Sequence, residues 1–321
     1  RMLIIPVFVP HEGCPHACCF CNQRKISGQN SAPSQDAVRR IIESYLDIIP
    51  NYDAVQVAFF GGSFTGIPEA VRRQYLETAA SYVKKKQIDS IRISTRPDYI
   101  DSEILAMLKE YSVRTIELGA QSMDDEVLRR AGRGHTAADT VRASERIRAW
   151  NFELGLQTMT GLPGASCESD RKTAEEIIRL HPDFVRIYPT VVIKGTPLHT
   201  MYIRGEYIAP PLDKTVAFCA ELMVKYQSEN IKVIRMGLQS SDGVNAGGEI
   251  AAGPYHPAFG QLVRSQIAYE RLLTIGEVHN NVYTAYVPER ELSDYIGQNK
   301  CNVLALKERF GYRSVRIKPI N

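Results

Sequence analysis

The chain has 321 residues, 44% hydrophobic and 23% charged, enough for a substantial core and too long for a small scaffold stapled by disulfides. A formal charge of +3 and a pI of about 8.4 tolerate an RNA partner but are too weak to argue for one. No apolar run approaches the roughly 18 residues of a membrane helix. The N-terminus reads without a signal peptide, and seven clustered cysteines point to a reducing cytoplasm rather than a secreted disulfide framework.

From Leu3 to about Ser228, short runs rich in Val, Ile, Phe and Tyr alternate with longer segments of helical period. The pattern predicts strands at Leu3–Val9, Ala54–Phe60, Ser90–Ser94, Thr115–Leu118, Glu153–Thr158 and Phe184–Tyr188. It predicts helices at Gln35–Ile49, Glu69–Lys86, Ser102–Glu110, Asp124–Ala131, Thr136–Trp150, Ser169–Leu180 and Asp213–Ser228. Ser34, Asp101 and Asp213 stand where helices should start. Repeated strand–helix units imply right-handed crossovers and a parallel sheet. About six of them predict an α/β chain built as a partial (β/α)6 TIM-like barrel, open rather than closed eightfold. From about Ile231 the texture turns Gly-rich and aperiodic, then reads as a strand, two short helices and a basic strand. Residues 1–230 are therefore expected to form the barrel. Residues 231–321 are expected to form a small α+β C-terminal extension that caps it and helps to define the substrate.

The loop after the first strand, "GCPHACCFCNQRKISG", carries four of the seven cysteines within eight residues. Cys14, Cys18 and Cys21 make C-x3-C-x2-C, three thiolates from one loop with the aromatic Phe20 before the last. A four-iron cluster is usually held by four cysteines, so three leave one iron open to another ligand. A structural zinc site is the alternative, with His11 or His16 as a fourth ligand, although no second cysteine pair lies nearby. Cys19 is the spare, a small semi-buried thiol, and Cys167, Cys219 and Cys301 read as ordinary helix or loop residues.

In such folds the loops leaving the C-terminal strand ends carry the chemistry. After strand two, Gly61 and Gly62 in "FFGGSFTG" let backbone approach a ligand closely, or simply make a tight turn. After strand three, Arg96 in "STRPDYI" could pair with a carboxylate, and Pro97–Asp98 also stops the chain before a helix. After strand four, Glu117 is an unusual residue for a buried parallel strand, and Gln121 and Ser122 suit ribose hydroxyls. Arg133 and His135 follow a helix break at Gly132; a solvated loop is their plain reading. "LQTMTGLPG" after strand five offers Gln157, Gly161 and Leu162 around an adenine edge. "RIYPTVVIKGTPL" after strand six presents Tyr188 and Lys194.

The C-x3-C-x2-C pattern at the end of strand one resembles the signature of radical S-adenosylmethionine (SAM) enzymes. That resemblance implies a [4Fe–4S] cluster on Cys14, Cys18 and Cys21 whose open iron binds the amino and carboxylate groups of SAM. An electron supplied by an external flavodoxin- or ferredoxin-type donor then cleaves SAM to methionine and a 5′-deoxyadenosyl radical, which abstracts hydrogen from substrate. Gly61, Gly62, Ser63 and Thr65 match the glycine motif that contacts the methionine end. Phe20, Ser94, Arg96, Glu117, Gln121, Ser122, Arg133, Gln157, Gly161 and Leu162 complete the implied cofactor set. Over roughly residues 3–240, "GGSFTG", "TRPDY", "ELGAQSMDDEVLRRAGRGHT", "GLPG" and "RIYPTVVIKGTPLHTMYIRGEY" resemble the radical SAM domain of the Elongator catalytic-subunit family. Oxygen-independent coproporphyrinogen oxidase is the runner-up and lacks the last stretch. Three departures stand out. The cysteine spacing is shorter than in the Elongator proteins, Ser94 replaces a Glu, and the roughly 80 residues after Ser240 are too few for an acetyltransferase domain.

The resemblance and a basic C-terminal run (Lys300, Lys307, Arg309, Arg313, Arg316, Lys318, beside Tyr312) point to RNA, specifically tRNA, as substrate. The lack of a recognisable RNA module leaves open a small molecule such as a modified nucleobase or a tetrapyrrole. A non-catalytic iron–sulfur sensor is the reading from another class. Within the extension, "GGEIAAGPYHPAFGQLVRS" offers Glu249, Tyr255, His256 and Arg264 as a polar substrate lining, or a structural loop with one capping helix.

Overall fold

A computed structural model describes residues 2–9, 14, 18–21, 32–48, 52–238 and 248–320. Its main sheet contains β1 (Met2–Val9), β2 (Ala54–Gly61), β3 (Ser90–Thr95), β4 (Val113–Gln121), β5 (Glu153–Thr160) and β6 (Phe184–Pro189). A seventh strand, β8 (Lys232–Met236), follows β6; β7 (Val192–Ile193) stands outside this sheet. The order is β1-β2-β3-β4-β5-β6-β8 and every neighbouring pair is parallel, giving an open half-barrel. The helices between strands are α1 (Gln35–Ile48), α2 (Glu69–Lys84), α3 (Ser102–Glu110), α4 (Asp125–Arg130), α5 (Ala137–Ala149), α6 (Cys167–Arg179), α7 (Pro197–Ile203) and α8 (Leu212–Ser228).

Alternation along the strands explains both faces. Ile5, Val7, Val57, Phe59, Ile91, Ile93, Ile116, Leu118, Leu154, Leu156, Val185 and Ile187 are all buried in one core beneath the helices. The intervening residues point into the half-barrel and are largely polar: Gln56, Ser90, Arg92, Thr115, Glu117, Gln157 and Arg186. A continuous apolar strand was the simple expectation for a doubly covered parallel sheet; here the inner face is a built polar surface.

Small polar residues begin the helices. Asp101 accepts the Ile104 N–H at 2.8 Å, and Ser34 accepts that of Ala37 at 3.2 Å, both as the sequence predicts. Thr136 with Asp139, and Ser166 with Ser169, form reciprocal capping boxes on α5 and α6. Asp213 is a correction. It lies in the first turn of α8, whose capping position is Pro211, so its charge complements the helix dipole without closing a cap.

The seventh strand lies just past the change of texture at about residue 231. Its mixed, half-exposed residues "KVIRM" show none of the apolar density of the six strands before it. Beyond it, β9 (Ile250–Ala252) pairs antiparallel with β7. Helix α9 (Phe259–Ile275) packs on α8 and β8. A three-stranded sheet of β10 (Glu277–His279), β11 (Val282–Pro288) and β12 (Ser314–Ile320) follows, its parallel β11–β12 link made by α10 (Leu292–Ile296) and α11 (Cys301–Phe310). This unit has its own small core of Leu272, Tyr283, Ala285, Val287, Tyr295 and Leu306.

Candidate functional site

The cysteine loop is fastened at both sides. The Cys19 N–H donates to the Ala131 carbonyl at the end of α4 (3.0 Å), and the Leu198 N–H of α7 donates to the Cys19 carbonyl (2.9 Å). The Cys19 side chain is buried in an apolar cluster with Val127, Ala131, Leu162, Val192, Leu198 and Tyr207, and burial pushes its thiol up to about 12. It is a packing residue, as expected of the spare. Cys18 receives a hydrogen bond from Arg133 Nη1 at 3.1 Å. Burial raises the Cys14 thiol, against the Ser63 N–H and the charges of Arg96 and Arg133, which favour thiolate.

The turn after β2 stands beside these thiols. Gly61 has φ +108°, and a Cβ there would meet the Val9 carbonyl oxygen at 2.9 Å, so only glycine closes this approach. Ser63 Oγ lies 2.8 Å from Thr95 Oγ1, Thr65 Oγ1 lies 2.5 Å from the same atom, and the Arg96 N–H donates to Ser63 at 3.2 Å. Arg96 grips Asp98 with two donors (2.9 and 3.0 Å) and also donates to the Arg133 carbonyl at 2.6 Å. Arg133 Nη2 in turn donates to the Gly119 carbonyl at 2.7 Å.

Gln121 ends β4 in the left-handed region, φ +65°, where the register with β5 shifts. A glutamine held there is an uncommon conformation, unlike the asparagines that take it at turns elsewhere in the chain. Gln121 Oε1, Arg133 Nε and His135 Nδ1 are buried and have no hydrogen-bond partner among the described residues. Burial and the Arg133 charge depress His135 to about 4, so the ring is neutral near pH 7, and its Nε2 lies 3.2 Å from the Ala120 carbonyl.

Below this edge an ionic cluster lines the inner face. Glu117 receives Arg92 Nη1 at 2.7 Å, Arg186 Nε at 2.7 Å and Nη2 at 3.0 Å, and Gln157 Nε2 at 2.9 Å. Gln56 receives Arg92 Nε at 2.7 Å and donates to Ser90 and Thr115. Phe184 and Phe60 face the Arg92 and Arg186 guanidiniums at 4.8 and 5.5 Å. A Cβ at Gly155 would sit 2.4 Å from the Phe184 ring, so this glycine makes room for it.

A radical SAM family model matches residues 8–177, and a radical SAM C-terminal domain matches residues 182–269. The chain belongs to the radical SAM superfamily. It is 40% identical over 127 residues to a tRNA uridine(34) acetyltransferase of Methanocaldococcus infernus, covering 38% of this chain and 24% of that protein. Among solved structures, archaeal M. infernus Elp3 with an N-terminal deletion shares the fold at TM-score 0.66 and 20% identity, covering 84% of this chain and 63% of that one. Escherichia coli coproporphyrinogen III oxidase, HemN, shares it at TM-score 0.53 and 16% identity, covering 88% and 60%. The chain spans less than two thirds of the length of each of these relatives.

Radical SAM enzymes use a [4Fe–4S] cluster and SAM, and the residues present fit that pair. Three cysteines of one loop suit a four-iron cube, each taking a different iron and leaving the fourth iron open. His11 and His16, the candidate fourth zinc ligands, lie outside the described residues. The unpartnered Gln121 Oε1 and Arg133 Nε, beside the turn at Gly61, suit a polar, amphoteric ligand.

The structure gathers Cys14, Cys18, Ser63, Thr65, Arg96, Gln121 and Arg133 at this edge, while Phe20 packs against the apolar cluster around Cys19. Ser94 Oγ and Gln157 are neighbours at 3.4 Å. Three of the implied cofactor contacts change. Glu117 has no exposed surface and its oxygens are taken by Arg92, Arg186 and Gln157, so it braces the inner face rather than touching a ligand. Ser122 turns outward to Thr173 of α6 at 3.3 Å and caps Asp124. Leu162 is buried in the apolar cluster beside Cys19.

Arg133 and His135 are enclosed, not solvated. Tyr188 lies beside the Arg186 guanidinium. Lys194 donates to the Gly248 carbonyl at 2.8 Å and its N–H to the Glu249 carbonyl at 2.7 Å, drawing the extension onto β7. His256 Nδ1 receives the Ala258 N–H at 3.1 Å, next to Tyr255 at the start of α9. Arg264 binds Asp294 at 2.9 Å, a tie between α9 and α10 rather than a lining residue.

Asp170, which the sequence pattern did not single out, clamps the loop after β5. Its Oδ2 accepts the Gly161 N–H at 2.9 Å, and Tyr207 Oη donates to the Gly161 carbonyl at 2.7 Å. Burial pushes Asp170 up to about 7 against the opposing pull of that N–H. The folded chain thus keeps a proton that the unfolded chain releases near 4, and stability falls as pH rises through about 4 to 7. Asp170→Asn retains the acceptor and removes the titration. We expect its unfolding midpoint to exceed the parent's at pH 8, by roughly 2–4 kcal/mol in stability, and to change little between pH 4 and 7. Urea titrations of both chains across that range check this; parallel pH profiles would refute it.

Proposed function

We propose that this radical SAM enzyme modifies a nucleoside of tRNA by abstracting a hydrogen atom. The observation that carries the reading is the meeting of the Cys18 thiol, Arg133, the Gly61–Ser63 turn and the strained Gln121 at one edge of a parallel half-barrel. Cys14, Cys18 and Cys21 are the thiolates to hold the cluster. When bound, the cluster supplies the electron that cleaves SAM, and SAM supplies the hydrogen-abstracting 5′-deoxyadenosyl group.

The protein's part is placement. Gly61, Gly62 and Ser63 shape the turn against which the methionine end lies, held in place by the Gly62 N–H on the Val9 carbonyl at 2.7 Å. Gln121, Ser94, Gln157 and Gly161 contact the nucleoside, and Arg133 fixes the Cys18 thiol and offers its free Nε. The ionic inner face keeps the reacting end rigid and excludes bulk water. Segment 231–321 completes the mouth through Glu249, Tyr255 and His256, with Tyr188 and Lys194 from the β6 exit. An external one-electron donor of flavodoxin or ferredoxin type is required, and the reducing cytoplasm is the natural setting.

The tRNA assignment is supported by the 40% identity over 127 residues to a tRNA uridine(34) acetyltransferase. Anaerobic reconstitution with iron and sulfide, then reduction with SAM, should yield 5′-deoxyadenosine, and unmodified tRNA should stimulate it. Stimulation by a small-molecule pool and not by tRNA would replace the substrate class. A fully loaded cluster that never cleaves SAM would favour the sensor reading.

A further inference from the structure

The three-stranded C-terminal sheet carries aromatic and basic features that extend from its own core to its surface. Tyr283, only 4% exposed, stacks on Tyr312 at 5.6 Å, and Tyr312 stacks on Phe310 at 5.4 Å. Phe310 ends the stack 46% exposed, with the Arg309 guanidinium 5.2 Å from its ring. A ring column rooted in the core and ending half-exposed at the surface is a platform on which a further ring can stack, beside the Arg309 guanidinium. On the sheet's outer face a second aromatic, Tyr286, is 57% exposed with Lys318 Nζ 5.9 Å from its ring.

Charge around these rings is unbalanced. Among the described residues, Lys300, Lys307, Arg309, Arg313, Arg316 and Lys318 make no ion pair. Two of the five carboxylates between residues 277 and 320 are taken, Asp294 by Arg264 and Glu291 by Arg271 and Arg290. Glu277, whose neighbour His279 pairs with it only when protonated, Glu289 and Glu308 remain against these six cations. Register puts Arg316 opposite Thr284 and Lys318 opposite Tyr286, all on the outer face, with Arg313 just before the strand.

The direction of this line matters. Helix α9 starts beside the end of β8, where Gly260 approaches the Met236 carbonyl, and its last turn receives the Tyr283 hydroxyl at Leu272. Strand β11 rises from that last turn toward α10, which is tied back to the first half of α9 through Arg264 and Ser265. Strand β12 is parallel to β11. Phe310 therefore lies at the end of α9 far from the barrel mouth, and the cations of β12 lead back toward it over about 16 Å.

We propose that the β12 edge of this sheet docks a single-stranded stretch of the RNA substrate, an unpaired base stacking on Phe310 on the helix side and the phosphates crossing that edge to follow Arg313, Arg316 and Lys318 on the outer face toward the mouth. Aromatic platforms beside a basic track bind single strands with little sequence preference. The exposed ring alone would suit a protein partner too, but six unpaired cations against three carboxylates favour a polyanion. The inference rests on the tRNA reading of the active site.

The test is binding of an unmodified tRNA transcript to the reconstituted enzyme at several salt concentrations, for the parent, Phe310→Ala and Arg316→Glu/Lys318→Glu. We expect Phe310→Ala to weaken binding about tenfold with an unchanged salt slope. The charge variant should flatten that slope by roughly 0.7–0.9 per lost phosphate contact. SAM cleavage without RNA and the thermal midpoint should stay at parental values in both. A parent that binds tRNA equally with and without Phe310 overturns this surface and leaves the tRNA reading standing. A parent that cleaves SAM but binds no tRNA overturns both. A protein ligand displaced by Phe310→Ala, with tRNA affinity untouched, also overturns the proposal.

Discussion

Alanine at Cys14, Cys18 or Cys21 should abolish 5′-deoxyadenosine formation, each alone to background, while alanine at Cys19 should leave it largely intact. Adjacent thiols differ this much because of where their side chains go. Cys18 faces Arg133 at 3.1 Å, and Cys14 faces the Ser63 N–H and two guanidiniums. Cys19 is enclosed by Val127, Leu162 and Leu198, where burial holds it as a neutral thiol. Its removal costs packing, on the order of 1 kcal/mol. Iron and sulfide content with anaerobic product analysis for the four variants decides the matter. Equal losses at Cys18 and Cys19 would show that the loop, and not the choice of thiols, governs cluster retention.

The second large effect concerns the inner face. Glu117→Gln should destabilise the chain by about 3–5 kcal/mol, because it leaves two buried guanidiniums without their counter-charge. Converting Arg92, Glu117 and Arg186 together to apolar residues of similar volume should recover most of that loss, since a desolvated ionic triad has little net worth of its own. Burial raises the Glu117 carboxyl, yet Arg186, Arg92 and Gln157 together hold it below the usual range. Its contribution is therefore complete above the unfolded value near 4.5 and is lost only as pH falls through the lower folded value. This dependence is opposite in sign to that of Asp170. Urea midpoints of the parent, single and triple variants at neutral pH test the claim, and a neutral single variant would refute it.

How much of this was legible in the sequence follows from what each signal depends on. The six barrel strands and their helices rest on local periodicity and capping residues, and Ser102–Glu110 was readable to the residue. Cys14, Cys18 and Cys21 were legible because their spacing is local. Glu117 stood out as a charge in a buried strand, but its role did not, because Arg92 and Arg186 lie 25 and 69 residues away in sequence. The signal existed: "SIRIST" and "FVRIYP" each place one arginine at an alternating position among apolar neighbours. Three misplaced charges on one sheet face imply one another. Asp170 gave no such signal, since a carboxylate early in a helix ordinarily serves the dipole, and only the fold brings it to Gly161. Strand β8 was missed because an edge strand needs no apolar density.

The backbone of Cys19 links three segments of the chain: the cysteine loop, the end of α4 and the start of α7. Oxygen damage would therefore not stay local. With Cys18 and Cys21 as cluster ligands, losing the cluster would free the thiols on either side of Cys19 and loosen a clasp that also fastens the β6–β8 crossover. Amide exchange at Leu198 should quicken in step with bleaching of the cluster, making that proton a reporter of metal status from an otherwise ordinary helix.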